Sequence, residues 1–329
     1  MSLLFAVGNI RVKETQLINQ NIIDRMIGAD SIDTAYKILA EMDYSHHMND
    51  VENASDFQQV LDATMKDLKD ELQSILTEQE YSVLLWKKYD YHNLKLALKT
   101  QLCGAENSES FYSNLGIWTS DEVARIATDP AGQSASLSDA VLKAKELYTQ
   151  TSNPIFIDVL LDVGYLKELQ LIASQSNNEF VSAIIRIVTD QYNILSFLRL
   201  RELGKTESSL VRQVFVNGGS ADASAFVSSL HKSFDHFVRT CISGSYSSKI
   251  KDVLAEYTKE SNLFAVELGL QELLVSHINS SKTIALGIEP VLAFWIGKEN
   301  NIKILRFILT AKQAGISKET IRERLPLHY

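Results

Sequence analysis

The sequence predicts an all-α protein, on three observations. The chain of 329 residues holds only 4 prolines and 14 glycines, so helix breakers are scarce. Its apolar residues recur at three- and four-residue spacing along most of its length, the period of an amphipathic helix. No run of alternating β-branched residues competes with that period. The best strand candidate, Val214-Phe-Val216, reads as a helix end or loop.

Taken in order, the elements are these. Ser31-Ile-Asp33 supplies polar residues at the start of a helix whose Ile32, Ala35, Tyr36, Ile38 and Leu39 lie mostly on one stripe. Leu61, Met65, Leu68, Leu72, Ile75 and Leu76, with charges between them, predict an amphipathic helix of about four turns. Segments 81–103, 154–175, 180–203, 263–278 and 290–314 follow the same period. Ser152-Asn-Pro154 reads as a cap with proline at the first helical position. Small and polar residues predict loops at 128–136, 217–221 and 243–248.

An internal repeat organises these helices. Asp90 and Asn93 are followed by an apolar helical stretch and then Gly104, eleven residues after the Asn. Asp190 and Asn193 are followed by Gly204 at the same offset, and a weaker copy, Asn301-Ile-Lys-Ile304, reaches Gly315 at that offset again. Asp56, Asp158 and Glu267 stand ahead of the three copies at closely matched separations. An Asp and an Asn at i, i+3 share a helix face where both have poor propensity, which predicts a shared buried polar contact. The glycines fit helix termini that need a positive φ. Three units follow, 1–115, 116–216 and 217–329, and periodicity alone is compatible with a solenoid or with closure around a pseudo-three-fold axis.

Composition excludes several functions. The chain carries 32 basic and 41 acidic residues, a formal charge of −9, which argues against a nucleic-acid binder. Cys103 and Cys241, far apart in the sequence, read as buried small residues and give neither a zinc nor a disulfide framework. Residues 1–7 lack the basic start and the length of a signal peptide. The apolar stretch 283–297 is broken by Glu289 and Pro290 and falls short of the ~20 residues of a spanning helix. A soluble cytoplasmic chain is expected.

The search for chemistry returns little. Gly204-Lys-Thr206 mimics the end of a phosphate-binding loop, but Arg199 stands where that loop needs a glycine. His46-His47 has no cysteine or third histidine nearby and reads as a solvated loop. Trp118 and Trp295 sit among apolar residues, as core residues do. No catalytic residue, cofactor or metal site is expected. Repeated helical units of this kind build surfaces for other proteins.

Several segments carry a family resemblance. Phe5-Ala-Val-Gly-Asn-Ile-Arg-Val-Lys-Glu14, Ile23-Asp-Arg-Met-Ile27, Ser31-Ile-Asp33 and Leu39-Ala-Glu-Met-Asp-Tyr44 lead the series. Tyr89-Asp-Tyr-His-Asn-Leu-Lys95, Gly297-Lys-Glu-Asn-Asn-Ile-Lys303, Leu305-Arg306, Lys312 and Ile321-Arg-Glu-Arg-Leu325 complete it. In order and spacing the chain resembles the C subunit of bacterial and archaeal V/A-type rotary ATPases, the counterpart of the d subunit in the eukaryotic vacuolar enzyme. It departs from the family pattern at Gly8-Asn9, and at Asn301 and Ile304, where Glu and Asn are common. The resemblance implies a funnel of three similar helical domains around a pseudo-three-fold axis. It also implies a non-catalytic central-stalk protein, one copy per complex, peripheral on the membrane. Its partners would be the central-shaft subunits of the ATPase head and the membrane rotor ring of proteolipid subunits, with torque passed between them and no lipid span. The rival reading is a helical-repeat scaffold of an unrelated complex.

Overall fold

The computed structural model describes residues 3–76, 79–104, 108–204, 208–244, 246–260 and 262–325. Every regular element among them is helical. The chain divides into two compact units, Met1–Glu78 with Val275–Tyr329, and Gln79–Leu274.

The first unit begins with α1 (Leu3–Lys13), α2 (Gln20–Gly28), α3 (Ile32–Lys37), the single turn α4 (Ser45–Met48) and α5 (Phe57–Ile75). The starts of α2 and α3 are set by side-chain caps, Asn19 accepting from the Ile22 N–H and Ser31 from the Thr34 N–H. In the second unit α6 (Gln79–Cys103), α7 (Ser120–Thr128), α8 (Ala135–Thr151), α9 (Ile155–Gln175) and α10 (Glu179–Glu202) come first. There follow α11 (Ser208–Val214), α12 (Ala223–Ser229), α13 (Phe234–Cys241), α14 (Ser247–Glu260) and α15 (Leu263–Asn279), the last leading the chain back to the first unit. That unit is completed by α16 (Glu289–Gln313) and α17 (Lys318–Glu323).

α16 is the core helix of the first unit. Most of its length is buried, and α1, α2, α3 and α5 pack on it. A helix that is apolar or paired all round must sit inside. Here Lys298, 1% exposed, holds Asp43 at 2.6 Å and lies 4.2 Å from the Tyr44 ring centroid. Burial pulls the Lys298 pKa below its ordinary value, and the Asp43 carboxylate opposes that pull.

The second unit has two cores. Tyr91, Leu94, Leu98, Val123, Ile126, Leu137, Val141, Ile157 and Leu161 join α6, α7, α8 and α9. Phe197, Phe215, Phe226 and Phe237 anchor the other, with Phe197 and Phe237 stacked at 3.8 Å.

Val214-Phe-Val216 is, as expected, a helix end and loop: the end of α11 and the residues after it. Other expectations shift in detail. Pro154 stands just before α9, whose first N–H donates to the Asn153 side chain at 3.1 Å. Ser152 is no cap for α9: it ends α8 in the left-handed region at φ 51°. Cys103 is exposed, and only Cys241 is the buried cysteine expected. Among the described residues no helix is long and apolar enough to cross a membrane.

Candidate functional site

The residues singled out by the repeat stand on the long helices α6, α10 and α16. Asp90 and Asn93 face the loop that leads into α7. Asn93 Nδ2 donates to the Ser113 carbonyl at 2.9 Å, and its Oδ1 accepts from the Ser113 N–H at 2.7 Å. Asp90 Oδ1 accepts from the Ile117 and Trp118 N–H groups at 2.6 and 2.9 Å. The side chains of one helix thereby replace the backbone partners that the loop lacks.

α10 makes the same joint with the loop before α12. Asn193 exchanges both bonds with Val216, at 2.7 Å to its carbonyl and 3.0 Å from its N–H. Asp190 accepts from the Ser220 N–H and hydroxyl, both at 2.6 Å. Burial raises the Asp190 pKa, while the bonds from Ser220 and the charge of Arg186 pull it back.

Close approach at both joints requires a glycine that spacing alone did not flag. A Cβ on Gly116 would lie 2.6 Å from Asp90 Oδ1, and one on Gly219 would come closer still to Asp190 Oδ1. Both glycines precede their helix cap, Thr119 or Asp222, by three residues. That shared offset was the legible signal.

The third joint joins α16 to the start of the chain. Asn301, 1% exposed, turns its amide so that Oδ1 accepts from the Ile18 N–H at 2.8 Å and Nδ2 donates to the Gly297 carbonyl at 3.3 Å. Ile18 immediately precedes Asn19, the cap of α2. Asn301 therefore does for α2 what Asp90 does for α7. Ile304, in the place of Asn93 and Asn193, is fully buried and apolar.

Two further contacts repeat. Eight residues beyond Asn93, Asn193 and Ile304 stand Gln101, Arg201 and Lys312, each reaching the C-terminal end of a docked short helix or the turn after it. Gln101 donates to the Thr128 hydroxyl at 2.7 Å, Arg201 to the Lys232 carbonyl at 2.7 Å, and Lys312 to the Ile27 and Ala29 carbonyls at 2.5 and 2.6 Å. The long helices also pair with an acid on the penultimate helix of a hairpin. Lys95 and Lys99 meet Asp162 and Asp158 at 2.5 and 2.7 Å, Arg199 meets Glu267 at 3.8 Å, and Arg306 meets Asp62 at 3.3 Å. Asp158 and Glu267, noted for their spacing, thus face cations of α6 and α10, whereas the acid that faces α16 is Asp62 and not Asp56, which stands just before α5. Gly104, Gly204 and Gly315 follow the three long helices at φ 69°, 63° and 68°.

Other candidates are placed elsewhere. His46 and His47 lie on the helical turn α4 rather than on a loop; His46 is exposed, as expected, and half-buried His47 meets Asp67 through Nε2 at 2.7 Å. Among the described residues no group of three or more His, Cys, Asp or Glu is arranged to hold a metal ion. Trp295 is core, its Nε1 donating to Glu299 at 2.7 Å. Trp118 is half-buried beneath the Lys87 ammonium, 3.6 Å from its ring centroid. Of Gly204-Lys-Thr206, only Gly204 lies within the described residues.

Comparison with known proteins points the same way along the whole chain. The C subunit of the V-type sodium ATPase of Enterococcus hirae is 26% identical over 96% of this chain and 95% of its own length. The C subunits of the A-type ATP synthases of Methanocaldococcus jannaschii and Methanosarcina mazei are each 22% identical, covering 97% and 98% of this chain and 84% and 92% of their own. Residues 6–324 match the family described as ATP synthase (C/AC39) subunit, and the chain belongs to that family.

Proposed function

We propose that this chain is a non-catalytic rotor subunit of a V/A-type ATPase, seated between the shaft of the ATP-hydrolysing head and the membrane rotor ring. The observation that carries the reading is the end-to-end match to relatives named as the C subunit of such complexes. The joints supply what a torque adapter needs. Side chains of rigid helices bind the loops between helices, so load passes through hydrogen-bonded seams rather than slack connectors.

The same reading makes the chain three copies of one helical unit, divided near 115 and 216. Both divisions fall in or beside the loops held by Asp90 with Asn93 and by Asp190 with Asn193. The protein would sit peripherally on the membrane, through rotor-ring loops, and handle H⁺ or Na⁺ only by coupling.

Crosslinking of the co-purified assembly tests this reading. One copy per complex, linked to both shaft and ring proteins, is expected, and its removal should uncouple ATP hydrolysis from ion transport. Full coupling without the chain overturns the proposal.

A further inference from the structure

The three joints share a design but not a chemistry. Their apolar contribution is comparable, since Ile23, Met26 and Ile27 of α2, Val123, Ile126 and Ala127 of α7, and Phe226 and Leu230 at α12 are all buried. Their polar contributions differ. Among the described residues, the first two joints each hold their loop with four hydrogen bonds from a helix carboxylate and carboxamide. The corresponding described positions of α16 hold the loop before α2 with one, from the Ile18 N–H to the neutral Asn301.

Cations reach the far end of the docked helix at all three joints, Lys145 at α7, Arg201 at α12 and Lys312 at α2, but on α2 exposed ion pairs from Lys318 and Arg322 are added. Lys312 reaches the Ile27 and Ala29 carbonyls, and Lys318 reaches the Gly28 carbonyl at 2.7 Å and Asp30 at 3.0 Å. Arg322 of α17 stands 3.8 Å from Asp24. These groups favour the negative end of a helix. The pairs are solvent-exposed, with Lys318 and Asp30 41% and 96% exposed and Arg322 and Asp24 53% and 50%. Lys312 is also crowded by its neighbours: burial lowers its pKa first, then the charge of Lys318, with Arg322 adding to both. Exposed ion pairs contribute little and are screened by salt.

We propose that the α16 joint is a latch: the loop 17–18 and α2 lift from α16 and α17 while α7 stays on α6 and α12 on α10, and ionic strength sets how often this happens. The latch gives the first unit a seam that opens without unfolding its core helix, transiently exposing Ile23, Met26 and Ile27. Local opening of this kind runs below the free energy of global unfolding. The inference stands on the joints and does not rest on the rotor reading.

Hydrogen exchange on the full chain tests it, comparing protection factors for segments 17–30, 113–128 and 216–230 in 50 mM and 500 mM sodium chloride. The expected result is about tenfold lower protection for 17–30 than for the other two, falling roughly threefold further in high salt. Lys318→Gln at low salt should reproduce the high-salt pattern in segment 17–30 alone, and the wild-type salt series stands by itself if that variant folds poorly. Equal or greater protection of 17–30, no response to salt there, or uniform loss of protection in all three segments overturns the latch.

Discussion

Asp190 and Asn301 occupy one position in two joints with different charge. Burial raises the folded-state pKa of Asp190 above its unfolded value, so the charged form is the one that folding disfavours. Its contribution is therefore most favourable below the unfolded pKa and is lost as pH rises through the folded pKa. Asp190→Asn removes that dependence. The amide can accept from the Ser220 N–H and donate to the Ser220 hydroxyl, as Asn301 serves both the Ile18 N–H and the Gly297 carbonyl. Urea unfolding at pH 7 should show the variant within about 1 kcal/mol of the parent, whereas Asp190→Ala should cost about 1–3 kcal/mol by orphaning the Ser220 N–H. The acid dependence of stability just above pH 4 should flatten in the Asn variant. A loss at pH 7 as large as that of Asp190→Ala would show that the charge itself holds the loop.

Among elements, α7 shows how a short helix is fixed before it docks. Thr119 and Glu122 form a reciprocal capping box, and the bonds from the Thr119 N–H and hydroxyl hold the Glu122 carboxyl below its ordinary pKa. α12 occupies the same place on α10 with no side-chain cap from Asp222. Thr119→Ala should therefore cost about 1 kcal/mol in chemical denaturation, and Asp222→Ala should be near neutral. The long helices were legible because their apolar period runs over many turns: segments 81–103 and 180–203 became α6 (Gln79–Cys103) and α10 (Glu179–Glu202). The short helices α2, α7, α12 and α13 were not, since two or three turns cannot carry a convincing period. Their positions are set by caps and by docking. Of the joint, the helix side was readable as an i, i+3 polar pair. The loop side was not, because Ser113, Ile117, Trp118 and Val216 take part through backbone groups that any residue has.

For the whole molecule, the governing fact is that the first unit is assembled from the two ends of the chain. Lys298 with Asp43 and Lys312 with Ile27 span 255 and 285 residues, and no local pattern announces such partners. The second unit is continuous, Gln79–Leu274, with two aromatic and aliphatic cores of its own. Expressed alone, residues 79–274 should give a cooperative thermal transition by circular dichroism. Residues 1–78 alone should show none until 275–329 is supplied, because their apolar faces pack on α16. Independent folding of 1–78 would show that α16 is dispensable to that unit.

The order of synthesis turns this division into a timing problem. The ribosome finishes α5 at Ile75 but does not begin α16 until Glu289, with the whole second unit made in between. At ~5–20 residues per second, that interval lasts roughly ten to forty seconds. Throughout it the second unit can fold behind the first, while Ile23, Met26, Leu61 and Leu68, all buried in the finished protein, have no core helix to cover them. The nascent chain thus carries an uncovered sticky surface for longer than most small domains take to fold, and its demand for chaperones falls on the stretch from α1 to α5.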